Sequence, residues 1–115
     1  TAVGRRLRAL VALPGEKIVR IGGPPDAMYF IAAGSVTVRI PGHPVPLKEG
    51  DFFGEIGLLS SSRRTADVVA DGYCHLLVLH KKDFNQLLAH RPEVRAGIET
   101  VAARRVADNR SKAAS

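Results

Sequence analysis

The residues best suited to chemistry in this chain lie in Phe52-Phe53-Gly54-Glu55-Ile56-Gly57-Leu58-Leu59, then Ser60–Arg63, then Arg64-Thr65-Ala66. Glu55–Leu59 is expected to form a single helical turn between two strands, with Gly54 where the backbone must bend sharply. The first N–H groups of a helix have no partner inside it. Together with the positive end of the helix dipole they make a ready anion site. Arg64 returns at the start of the following strand, and its planar fork can give a phosphate two parallel charged hydrogen bonds. Thr65 adds a hydroxyl able to donate to the same group. A charged hydrogen bond of this kind contributes about 1.5–3 kcal/mol net. Glu55 would be repelled by a phosphate, so it is read as turned sideways to accept from a sugar hydroxyl. A first-turn glutamate that only complements the helix dipole is the plainer alternative.

Other chemistry finds little support. His43, His75, His80 and His90 are scattered, and none forms the His-x-His pair that a metal-dependent jelly-roll enzyme uses. No nucleophile–base pair is evident, so no catalytic residue, metal or cofactor is expected. Cys74 has no second cysteine to bridge, and it lies in the apolar run Tyr73–Leu79, where it reads as a buried structural thiol in a reducing compartment. The formal net charge of +6 favours an anionic partner. Much of that charge sits at the two ends, from Arg5, Arg6 and Arg8 to Arg104, Arg105, Arg110 and Lys112, where solvated helix faces account for most of it.

These groups must be positioned by the rest of a chain of 115 residues, 45% of them hydrophobic, which suits one domain. Leu7, Leu10 and Val11 follow helical spacing, so Val3–Leu13 is expected to be a short helix, broken by Pro14-Gly15. Short β-prone runs follow at Lys17–Ile21, Met28–Ala32, Ser35–Ile40, Val45–Lys48, Thr65–Ala70 and Tyr73–His80, split by Gly/Pro/Asp turns. Asp83–His90 places Phe84, Leu87 and Leu88 on one helical face. Pro92 then suits the first position of a helix running to about Asn109, with Val94, Ile98, Val101, Ala102 and Val106 as its apolar stripe. No run is apolar for the ~18 residues that span a bilayer. The expected fold is mostly β: an antiparallel β-roll of jelly-roll type over residues 16–80, with an N-terminal helix over 1–13 and two C-terminal helices over 82–110.

The segment Phe53 to Ala66 resembles the phosphate-binding cassette of cyclic-nucleotide-binding domains. That family shows Phe-Gly-Glu, four small or aliphatic positions, a short spacer, then Arg-(Thr/Ser/Ala)-Ala. The resemblance extends through Gly22, Asp26–Ile31, Gly34-Ser35-Val36 and Glu49-Gly50-Asp51, and covers nearly all of Pro14–Val106. Within the family, Arg63–Ala66, Gly72-Tyr73-Cys74 and Glu99–Ala102 are similar to segments of cyclic-nucleotide-gated and hyperpolarisation-activated ion channels.

The resemblance implies roles for named residues. Glu55 would bind the ribose 2′-hydroxyl of cAMP or cGMP. Arg64 would hold the cyclic phosphate with the amides of Ile56 and Gly57, next to Phe53 and Gly54, and Thr65 would touch phosphate or purine. Val38, Val45, Leu47 and Phe53 would pack on the base. The last helix would fold over as a lid, with Arg105, four residues after Val101, on the purine, and Arg104 or Asn109 as substitutes. Strand alternation from Thr65 puts Asp67 on the same face as Thr65, where it would oppose a phosphate.

The partners implied are a cyclic nucleotide and the pore domain of a parent channel. That channel would be tetrameric, with this domain monomeric when isolated and lying on the cytoplasmic side of a cell inner membrane. The alternative is the sensor of a cyclic-nucleotide-responsive transcription regulator. That class carries a helix-turn-helix after the long helix, and the likeness of the cassette to the channel versions favours the channel, with no nucleic acid.

Overall fold

The computed structural model describes residues 7–114, and side chains through 108. Among the described residues eight strands run in chain order: β1 (Arg8–Ala12), β2 (Lys17–Val19), β3 (Ala27–Ala33), β4 (Ser35–Arg39), β5 (Val45–Lys48), β6 (Phe52–Phe53), β7 (Asp67–Ala70) and β8 (Cys74–His80). Helix α1 (Glu55–Ser60) lies between β6 and β7, and α2 (Lys81–His90) and α3 (Pro92–Ala114) close the chain. The strands form two four-stranded antiparallel sheets, ordered β1-β8-β3-β6 and β2-β7-β4-β5. This is the β-roll expected from the spacing of turn residues.

One expected element is corrected. Arg8–Ala12 is a strand, paired residue for residue with Val78–Cys74 of β8, and not part of a helix. Three apolar positions are too few to separate a helical from a strand period, and a helix shorter than ~12–15 residues is marginal alone. The open edge of β8 supplies five backbone partners, and pairing prevails. Residues 3–6 of the expected helix lie outside the described residues.

Two cores follow from strand alternation. Between the sheets, Val19, Ile31, Val36, Leu47, Phe53, Val68 and Leu76 pack with Ala12, Ala70 and Cys74. Behind the β1-β8-β3-β6 sheet, Met28 and Leu79 meet Leu58 of α1, Phe84 and Leu88 of α2, and Ile98 of α3. That sheet is covered on both faces, which is why β8 is apolar without a break from Leu76 to Leu79. The two residues of β6 divide between the cores. Phe53 stacks on Tyr29 at 5.1 Å between ring centroids, and Phe52 tilts against Phe30 at 6.1 Å. The second core ties α1 and α3 to the same sheet, so the two helices share one apolar body.

Candidate functional site

Gly54 adopts φ +92°, a left-handed conformation that L side chains rarely take, and it starts α1 abruptly. A Cβ there would sit 3.0 Å from the Ala27 carbonyl oxygen and 3.1 Å from Nη1 of Arg64, and one on Gly57 would sit 3.3 Å from the same nitrogen. The two glycines thus make room for a guanidinium against the first turn of the helix. Ser61, also left-handed, ends the turn, and its N–H donates to the Gly57 carbonyl.

Arg64 is held from both its backbone and its side chain. Its N–H donates to the Gly23 carbonyl at 3.0 Å, and its carbonyl accepts from the Gly22 N–H at 2.8 Å. Nη1 donates to the Gly54 carbonyl at 2.7 Å, and Nη2 to the Ala27 carbonyl, with Oδ1 of Asp26 at 3.5 Å. An arginine has five N–H donors, so Nε–H and one Nη1 hydrogen stay uncommitted among the described residues. Burial, and then the Asp26 carboxylate, push the nearby Tyr29 phenol above its ordinary value, against the pull of Arg64, so that ring stays neutral.

Glu55, the first residue of α1, is 1% exposed. Its Oε1 accepts from Nη1 of Arg105 on α3 at 2.7 Å, while Oε2 is buried and unpartnered among the described residues. The Arg105 guanidinium lies over the Phe52 ring, 5.0 Å from its centroid, a contact worth about 0.5–1 kcal/mol where exposed.

These groups border one cavity of about 300 Å3. All eleven residues singled out from the sequence line it: Val38, Val45, Leu47, Phe53, Gly54, Glu55, Ile56, Gly57, Arg64, Thr65 and Arg105. Arg104 is exposed, and the Asn109 side chain lies outside the described residues. Sequence reasoning missed other lining residues, above all Val19 and Val68. Register explains them: Val19 pairs with Val68, Val68 with Val38, and Val38 with Val45, a row of valines straight across the second sheet. Ile40 and Pro41 extend the wall beyond β4. Phe52 was missed as the support of Arg105. Its only signal in the sequence was its place beside Phe53.

Asp67 departs from the expectation. Regular strand geometry begins only at Asp67, after a bend at Ala66, so Thr65 faces the cavity and Asp67 does not line it. Its Oδ1 accepts from the Ile21 N–H at 2.7 Å, and Oδ2 lies 3.3 Å from Nζ of Lys17. The Ile21 bond, and then Lys17, hold the Asp67 carboxyl below its ordinary range. A carboxyl with a lowered folded pKa stabilises above its unfolded value, near pH 4, and that contribution is lost as pH falls through the folded value. Asp67→Asn should therefore lower the melting temperature at pH 7, and the gap to wild type should be smaller at a pH well below that unfolded value. A gap that is the same at both pH values would deny this role.

Among the described residues no group of three or more His, Cys, Asp or Glu side chains is placed to hold a metal ion, and no helix is long and apolar enough to cross a membrane.

Comparison with known proteins bears on the same residues. The cyclic nucleotide-binding domain family matches residues 10–91. Potassium/sodium hyperpolarization-activated cyclic nucleotide-gated channel 2 of Mus musculus is 44% identical over 103 residues, and channel 3 of Homo sapiens 45%. These matches take in 89% of this chain but only 12% and 13% of the channels, so the chain spans about an eighth of those relatives' length. A solved structure of Sp-2Cl-cAMPS bound to PKAR CBD2 superposes with a TM-score of 0.78 at 25% identity, covering 96% of this chain and 71% of that one. Another, from work on a cyclic-GMP-dependent signalling pathway that regulates bacterial phytopathogenesis, gives 0.80 at 26% identity, covering 93% and 89%. The family match runs from β1 to the end of α2, through every strand that shapes the cavity, and the chain belongs to the cyclic nucleotide-binding domain family.

Proposed function

We propose that this chain is a single sensing domain that binds cAMP or cGMP in the 300 Å3 cavity and performs no reaction on it. One observation carries the reading: a buried glutamate with a spare oxygen and an arginine with spare donors line the same cavity at the first turn of α1. A cyclic nucleotide presents both a sugar hydroxyl donor and an anionic phosphate. Glu55 takes the 2′-hydroxyl, Arg64 and the amides of Ile56 and Gly57 take the phosphate, and Thr65 adds its hydroxyl. The valine row with Leu47 and Phe53 gives the base an apolar bed.

The output is a movement of α3 against the β-roll. A ligand shifts such an equilibrium only by its preference for one state, and contacts that bridge α1 and α3 provide that preference. The likeness to hyperpolarization-activated channels supports a parent channel, tetrameric and gated by this movement, with the domain on the cytoplasmic face of the inner membrane.

Titration calorimetry with cAMP, cGMP and 5′-AMP tests the binding step. The expected result is a dissociation constant near micromolar for a cyclic nucleotide, about −8 kcal/mol, and no heat with 5′-AMP. Absence of heat and of a melting shift with both cyclic nucleotides would leave the fold as a scaffold, and partners would be sought among proteins.

A further inference from the structure

The Glu55–Arg105 contact joins two elements that sequence alone keeps 50 residues apart. A carboxylate this deeply buried is costly unless paired, and Arg105 supplies its one charged partner, at Oε1, among the described residues. A carboxylate is planar, so pinning one oxygen aims the other. Here the other is Oε2, buried and, among the described residues, without a donor. Arg105 is itself placed by the face of Phe52, which leaves its guanidinium edge directed at Glu55.

We propose that Arg105 is a positioning residue for sugar recognition: it holds Oε1 of Glu55 so that Oε2 is presented to the ligand hydroxyl. The inference rests on the cyclic-nucleotide reading, and it changes the part assigned to Arg105, from a contact on the purine to a hold on the carboxylate. Lid seating and sugar recognition then draw on one side chain. A ligand without the hydroxyl leaves Oε2 buried and unsatisfied whenever Arg105 keeps the carboxylate in place. Without Arg105, the unpaired carboxylate gains by turning toward water, and the sugar hydroxyl loses its acceptor.

The test compares cAMP with 2′-deoxy-cAMP (or the guanine pair, if cGMP binds better) by calorimetry on wild type, Arg105→Ala, Arg105→Gln and Arg105→Lys. Wild type should prefer the hydroxylated ligand about 10- to 100-fold, the span of one charged hydrogen bond. In Arg105→Ala and Arg105→Gln that ratio should collapse to about threefold or less, and Arg105→Lys, which keeps a cation, should recover part of it. Glu55→Ala, which removes the acceptor, should also abolish the preference, and adding Arg105→Ala to it should change the ratio no further. An arginine acting only on the base would weaken both ligands alike, and an unchanged ratio in Arg105→Ala would overturn the proposal while leaving the binding site intact. Failure of wild type to bind any cyclic nucleotide would overturn the functional reading and this inference with it. The Arg105 side chain is 26% exposed, so its removal should leave the fold standing, and a melting curve on each variant verifies this.

Discussion

Arg64→Ala should lower cyclic-nucleotide affinity by about 2–5 kcal/mol, roughly 30- to 4,000-fold. The size follows from where the arginine sits. At 8% exposure its guanidinium is largely out of water, so a phosphate paired with it would lose a buried cation. Truncation also orphans the Gly54 and Ala27 carbonyls that Nη1 and Nη2 now satisfy, and each buried, unpaired group costs about 1–3 kcal/mol. Those carbonyls flank the start of α1, so a loss of stability should accompany the loss of affinity. Arg64→Lys separates the two contributions: it keeps the charge but not the fork that reaches both carbonyls. Calorimetry on both variants, with a melting curve for each, should show affinity in the order wild type, Lys, Ala. Equal affinity in wild type and Arg64→Ala would remove the phosphate from this end of the cavity and the site assignment with it.

The legible parts of this molecule are those whose signals are local. Turn residues such as Pro41-Gly42, Glu49-Gly50-Asp51 and Asp71-Gly72 separate the strands, and Val45–Lys48 is a strand over the very residues expected. Gly54-Glu55 followed by Arg64-Thr65 marks a bend, a turn of helix and a returning cation, because each depends on a neighbour a few residues away. Pro92 opens α3, where its missing N–H has no cost. The illegible parts depend on pairings between distant segments. Nothing within Arg8–Ala12 announces that β8, more than sixty residues on, will have an open edge. The two-residue strand Phe52–Phe53 is too short for any period, and only its pairing with Tyr29 and Phe30 defines it. The valine row from Val19 to Val45 exists only once three registers are set. Asp67 differs from its expected place for a related reason. The pleat starts at Asp67 and not at Thr65, and the Ile21 N–H that captures the carboxylate lies 46 residues away. Arg105 is legible as a residue close to the apolar stripe of the last helix, but its partner Glu55 is not.

Phe84→Ala should destabilise the domain by about 3–5 kcal/mol, a large share of the 5–15 kcal/mol that holds most domains together. For a chain of this size that is a fall in melting temperature on the order of 10–20 °C. Phe84 is fully buried at the centre of the second core, with Met28 and Leu79 of the sheet on one side and Leu58, Leu88 and Ile98 of the helices around it. It therefore joins α1, which lines the cavity, to α3, which carries Arg105. The cavity left by truncation borders three helices but only one face of one sheet, so the damage should be uneven. Amides of α3 should exchange with solvent faster than in wild type at a temperature where the variant is still folded, while β4 and β7 in the other sheet keep most of their protection. Cyclic-nucleotide affinity should fall as well, because Arg105 can reach Glu55 only from a seated α3. Urea melts would give the energy and hydrogen exchange its distribution. A loss under about 1.5 kcal/mol would mean that the helices close over the gap. A loss spread evenly over both sheets would show that α1 and α3 are coupled through the whole β-roll and not through this one ring.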